Sequence, residues 1–418
     1  MKPKAAKDWR SILLAIVSTG GAILAVAMAI VVVVSNAAVN LLGDQEKVPL
    51  IDAVLIAAAL LFIGGLLIPA AYLSFLRLMG EEVGADSPRP MNIPKGFLLI
   101  AIWVGVTALT QILYDDNILR WIAPPFYILS VGLPVYFFVL LTIGGLKAGS
   151  KQRTWGALGS GMILGPSLAA SIELALVILL LIGMGIYLSF HPDLRITFNI
   201  LREQLNNNSS PDDILNLLSP YLLNPIVIAI VLSFFSAIAP LVEETSKSLT
   251  TWIIFDHLAT PAEGFVVGAL SGAGFGLVES LLASVRPDSS WATTLFVRGG
   301  TTMMHIITAS LTGWGIASFR VNKRLSRMIG TYALAMFLHG LWNACVVLIV
   351  AGSVHRVLNP QSTDIMGVGL IYFGAVILIL ITLGVPIALS SINWRLRPAA
   401  QTLPAAEGTE GMDIKGVK

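Results

Sequence analysis

The feature that most constrains this chain is a recurring apolar run of about 20 residues, long enough to cross a bilayer's hydrocarbon core as a helix. Such runs fall at residues 11–34, 48–74, 96–114, 122–146, 165–190, 222–242, 264–285, 291–318, 328–352 and 366–392. The chain is 56% hydrophobic and only 12% charged. That is about half the usual charged share, and the apolar surface exceeds what a soluble core hides. A soluble enzyme of this length is excluded, and the predicted fold is an all-α, polytopic transmembrane helix bundle of about ten spans.

Charge informs by position. With 26 Lys+Arg against 24 Asp+Glu, the net charge of +2 leaves no electrostatic footprint for nucleic acid, so the implied surroundings are a lipid bilayer. Basic residues gather in alternate connections: Lys2, Lys4, Lys7 and Arg10; Arg77, Arg89 and Lys95; Lys147, Lys151 and Arg153; Arg320, Lys323, Arg324 and Arg327; Arg395 and Arg397. The positive-inside rule then expects both termini in the cytoplasm. The first apolar run is longer than the core of a secretory signal and reads as an uncleaved anchor.

Three regions are predicted. Residues 1–154 hold N-terminal spans of unassigned role, 155–392 hold the chemically interesting spans, and 393–418 form a disordered cytoplasmic tail. Residues 155–164 are apolar and Gly-rich, and either extend the fifth span, re-enter the membrane or lie in its interface. Residues 191–220 read as two short amphipathic helices broken by an Asn/Ser/Pro turn. The single cysteine, Cys345, excludes an intrachain disulfide or a multi-Cys zinc site, so any metal must use His, Glu, Asp or Asn.

An ionisable side chain at mid-bilayer costs about 2.5–3.5 kcal/mol on insertion scales, so such residues mark candidate sites. They concentrate in the sixth to ninth spans. PLVEETSK places Lys247 four residues after Glu243, in reach of an internal ion pair, with Glu244 pointing about 100° away. GFGLVES places Glu279 four residues after Phe275, on a helix with Gly264, Gly268, Gly272 and Gly276 forming a smooth packing ridge. His305 follows, and FLHGLWN sets His339 and Asn343 on one helical face. Two histidines and up to three carboxylates have the composition of an N/O ligand set for a zinc-like ion with a carboxylate to spare as base. Arg298 either anchors at the outer headgroups or holds a carboxylate. Glu173 has no obvious sequence partner and reads as a buried protonated or hydrogen-bonded carboxyl outside the site; His191, His257 and His355 read as exposed.

EETSK at 243–247, GFGLVES at 274–280, His305 and HGLWN at 339–343 resemble, in order and spacing, the PrsW family of intramembrane proteases, distantly similar to the CAAX prenyl protease and bacteriocin-processing superfamily. The family pattern is EExxK, FxxxE, His and HxxxN, and the resemblance covers roughly residues 220–352. One departure is that Ser280 and Leu281 follow Glu279, where the family commonly has Asn and an aromatic.

The resemblance implies hydrolysis of membrane-anchored protein substrates, most simply in a bacterial plasma membrane. Glu243 or Glu244 would activate water, Glu279, His305 and His339 would bind a metal, zinc by expectation, or polarise the carbonyl, and Asn343 would steady the oxyanion. Lys247, Phe275 and Arg298 would support them. A metal-free glutamate and histidine mechanism stays open at this level. So do a proton- or cation-coupled transporter, which also uses buried Glu and His, and a non-catalytic scaffold. Glu279 counts toward the outer end of its span and Glu243 toward the inner end of its own, so their convergence needs a kink, a tilt or shifted boundaries.

Overall fold

The computed structural model describes residues 8–42, 49–86, 91–147, 149–207, 224–285, 290–358 and 365–401, with residues 210, 213, 214, 217, 218 and 221. The described chain is built of helices: α1 (Trp9–Leu42), α2 (Leu50–Leu78), α3 (Ile93–Asp115), α4 (Ala123–Ile143), α5 (Lys151–Phe190), α6 (Pro192–Asn207), α7 (Pro225–Ser233), α8 (Ala239–Ile253), α9 (Pro261–Ala283), α10 (Trp291–Asn322), α11 (Leu325–Leu358) and α12 (Ile365–Gln401). Two two-residue strands, β1 (Ala85–Asp86) and β2 (Gly149–Ser150), pair antiparallel between α2 and α5.

Among the described residues nine helical segments are long and apolar enough to cross a membrane, with α7 and α8 counted as one. The expected ten include α10, which is 32 residues long but carries Arg298, His305 and a run of Thr, Ser and Gly that lower its hydropathy. These polar groups are turned inward, since Thr302, His305, Thr308 and Thr312 are all buried. The protein is an integral membrane protein, and the exposed Leu, Ile, Val and Phe of α1, α5 and α12 form its lipid-facing surface.

Residues 155–164 extend the fifth span, because α5 is continuous from Lys151. The first of the two amphipathic helices expected in 191–220 is α6, while most of the second lies outside the described residues. Of the tail expected from 393, residues 393–401 are helical and belong to α12; residues 402–418 lie outside the described residues.

Helix α9 is the axis of the bundle, and glycine allows its burial. A Cβ at Gly268 would stand 2.0 Å from the Ala309 carbonyl oxygen and one at Gly272 2.2 Å from that of His305, so α10 packs backbone to backbone on this ridge. On the opposite face, a Cβ at Gly161 of α5 would meet the Ser271 carbonyl oxygen at 2.3 Å. Close helix approach of this kind suits a lipid setting, where apolar side chains gain little from leaving lipid for protein. The N-terminal spans share the same core, with Leu55, Leu67 and Tyr127 in one cluster with Phe265, Leu277 and Trp291. Tyr127 also donates its hydroxyl to the Leu281 carbonyl.

The ends of several helices lie together. Arg10 at the start of α1 donates to the Ile253 carbonyl at 2.8 Å and pairs with Asp256 at 3.4 Å. Arg320 at the end of α10 reaches the Asp256 carbonyl at 3.4 Å, and Arg397 near the end of α12 reaches the Gly144 carbonyl at 3.2 Å.

Candidate functional site

The site begins with a defect in a helix. Between α7 and α8, residues Phe234–Ile238 form one π-helical turn. Pro240 has no N–H to offer the carbonyl four residues back, that of Ser236. The extra residue in the turn rotates the helix beyond it, which is how such bulges redirect side chains at functional sites. Helix α11 seals the bulge: Gly340 lies so close that a Cβ would be 2.1 Å from the Ser236 carbonyl oxygen, and Asn343 Nδ2 donates to the Phe235 carbonyl at 2.9 Å. One turn further on, α8 delivers Glu243, Glu244 and Lys247 to the bundle interior.

Lys247 is the hub and is 1% exposed. Its Nζ lies 2.8 Å from Glu244 Oε1, 3.2 Å from Glu243 Oε2 and 2.6 Å from His305 Nδ1, with the Phe275 ring centroid at 4.5 Å. The contacts to Glu244 and His305 are hydrogen bonds, Glu243 is an ion-pair partner, and an ammonium can only donate. His305 Nδ1 must then be the accepting nitrogen. Its Nε2 therefore carries the proton and donates to Glu279 Oε2 at 2.5 Å.

His339 is fixed in the same way. Its Nδ1 donates to Glu244 Oε1 at 2.8 Å, which leaves Nε2 as a bare lone pair 3.7 Å from Glu243 Oε2. Glu244 is fully buried and also accepts from Thr308 Oγ1 at 3.0 Å. It is thereby committed to holding its neighbours, in the manner of the carboxylates that orient metal-binding histidines. Glu243 Oε2 is buried and accepts no hydrogen bond, though Lys247 Nζ stands 3.2 Å away as its ion-pair partner; the other oxygen of Glu244, Oε2, is likewise buried without a hydrogen bond. Glu243, His305 and His339 each offer one ligand atom, and the three lie within 4.8 Å of one another.

Residues 207–382 match the family model described as PrsW family intramembrane metalloprotease. This part of the chain belongs to the PrsW family. The PrsW domain is a peptidase by that membership, and α8, α9, α10 and α11, which build the site, all lie within it. No curated protein and no solved structure matches the chain.

The three-residue group in the PrsW domain fits a zinc-like cation. Its donors are one carboxylate oxygen and two imidazole nitrogens, a set typical of such sites, and the Glu243 oxygen, ion-paired with Lys247 but accepting no hydrogen bond, would take a cation as a further partner. One adjustment is required, because Lys247 holds the His305 Nδ1 lone pair and would have to release it.

The expected site residues divide accordingly. Glu243, His305 and His339 converge. Glu279, expected among the metal ligands, stands behind His305 on the Nε2 side and pairs through Oε1 with Arg298 Nη2 at 3.0 Å. Arg298 thus holds a carboxylate and is not a free headgroup anchor. Phe275 lies against His305, ring centroids 5.0 Å apart. Asn343 engages the π turn through its amide nitrogen. Sequence reasoning missed Thr308; its signal was the three-residue spacing from His305, which places both on one face of α10.

Proposed function

We propose that the PrsW domain cleaves membrane-anchored protein substrates at a water-activating centre made of Glu243, His305 and His339. The observation that carries this reading is the convergence of the buried Glu243 carboxylate, whose Oε2 accepts no hydrogen bond, with the two histidines on helices of a peptidase domain. The family match favours it over a transporter or a scaffold.

When bound by these three residues, a zinc-type cation supplies Lewis acidity to a carbonyl or a water. The protein's own contribution is orientation and charge. Glu244 and Thr308 fix the ring of His339, so its Nε2 faces the centre. Glu279 and Arg298 fix His305 from the opposite side. Lys247 balances the charge of the paired glutamates, and Glu243 Oε2 takes the place of ligand to the cation or, without one, acceptor of the water's proton. Asn343 shapes the centre by holding the π turn. The positive-inside rule assigns the face carrying the start of α1 and the end of α12 to the cytoplasm, and the family resemblance supports a bacterial plasma membrane as the host.

The test uses purified protein in liposomes with a reporter of one apolar span and an extended juxtamembrane segment. Cleavage is expected from the wild type and not from Glu243→Gln or His339→Ala. Elemental analysis of chelator-free preparations should find about one zinc per chain in the wild type and none in a His305→Ala, His339→Ala double variant that still melts cooperatively. Cleavage by Glu243→Gln at the wild-type rate would remove the reading.

A further inference from the structure

One carboxyl near this centre takes no part in the chemistry proposed for it. Glu173 sits in the middle of α5, outside the segment that matches the PrsW family. Its Oε1 is buried and has no hydrogen-bond partner. A carboxyl in a membrane span without a partner is costly, which makes it a functional candidate.

Its direction follows from its neighbours. Ala169, Glu173 and Leu176 are spaced four and three apart and share one face of α5. Ala169 is packed in a cluster with Val242 and Phe275, and Leu176 lies against that cluster. A Cβ at Gly165, one turn before Ala169, would also touch the Phe275 ring at 3.0 Å. Val242 immediately precedes Glu243, and Phe275 lies against both Lys247 and His305. Glu173 therefore lies on the face of α5 that packs on the residues bordering the centre. Glu279 keeps 36% of its side chain exposed, so the site is open at its edge.

A substrate cut inside or beside a bilayer must present an unwound stretch of backbone. Its N–H groups then lack the helical partners they had, and each unsatisfied group costs several kcal/mol in hydrocarbon. An acceptor waiting at the open edge relieves that cost. The other carboxylates cannot serve, since Glu244 is held by Lys247, His339 and Thr308, Glu279 by His305 and Arg298, and Glu243 faces the centre. We propose that Glu173 is a substrate-binding residue, its carboxyl accepting a hydrogen bond from a backbone N–H of the unwound peptide beside the scissile bond. The N-terminal spans would then complete the substrate site of a PrsW domain that does not contain α5. This inference rests on the protease reading.

The experiment compares Glu173→Gln, which keeps a carbonyl acceptor of nearly the same shape, with Glu173→Leu, which removes it. Using the single-span reporter in liposomes, Glu173→Leu should raise KM about tenfold, the worth of one hydrogen bond, with kcat within about twofold, and Glu173→Gln should stay within about threefold of wild type in both. Binding of the uncleaved reporter to Glu243→Gln protein in nanodiscs, by fluorescence anisotropy, should weaken by the same factor when Glu173→Leu is added. An unchanged KM and Kd in Glu173→Leu overturns the proposal and leaves a merely buried acid. A fall in kcat in Glu173→Gln also overturns it, because it marks a group that transfers a proton. A reporter bound but never cleaved, yet weakened by Glu173→Leu, defeats the protease reading alone. No binding by the wild type defeats both.

Discussion

At the scale of single residues, the adjacent glutamates of α8 have different neighbours. Glu243→Gln should lower kcat by at least about 100-fold while the protein still folds, because it neutralises the carboxylate that faces both histidines. Glu244→Ala should instead cost stability, about 3–5 kcal/mol, by stripping Lys247 of a fully buried partner. The check is a denaturation curve in detergent beside the rate on the reporter, and a Glu244→Ala protein as stable as wild type would refute the division. The reason these roles were hidden is specific. EExxK showed that one glutamate pairs with the lysine, but both do, at 2.8 and 3.2 Å. What separates them is whether His339 and Thr308 also arrive, and that is decided by α10 and α11 together. Likewise the family resemblance grouped Glu279 with His305, but only the tautomer imposed by Lys247 shows that Glu279 accepts a hydrogen bond from the Nε2–H.

At the scale of elements, two devices hold the site: a glycine ridge and a π turn. The ridge was legible in α9 as glycine every fourth residue, and the structure adds that the contact is with carbonyl oxygens of α10. Gly268→Ala should therefore overpack the interface and cost at least about 1–3 kcal/mol, read as a lowered melting temperature. The π turn was not legible. Pro240 removes one backbone N–H, but the insertion of an extra residue depends on Gly340 and Asn343 accommodating it from a different helix. Asn343→Ala should destabilise the protein by about 1–3 kcal/mol through the unpaired Phe235 carbonyl. If Asn343 instead steadied an oxyanion, the variant would lose kcat with an unchanged melt.

At the scale of the whole molecule, the spans before the PrsW domain belong to the same packed body. Tyr127 of α4 is buried against α9, and Gly161 of α5 meets its backbone. A chain cut to residues 207–382 should lose the support for both faces of α9 and fail to purify as a monodisperse particle, as size-exclusion chromatography in mild detergent would show. Recovery of a stable, active fragment would mean that the first five helices are dispensable to the fold. The number of helices and their apolar lengths could be read from the sequence because each span satisfies its own backbone. The pairing of distant spans could not, since in lipid it is set by small residues whose partners lie far away in the chain.

The ion pair between Glu279 and Arg298 also bears on how the protein is made. The two charges lie on successive helices, α9 and α10, separated by a short connection. Entering the bilayer alone, either helix would carry an uncompensated charge, at a cost that reaches about 2.5–3.5 kcal/mol at mid-bilayer and falls toward the interface. Entering together, they neutralise each other across a hairpin whose glycine face is already matched. The translocation machinery therefore has reason to retain α9 until α10 has emerged from the ribosome and to release them into lipid as a pair.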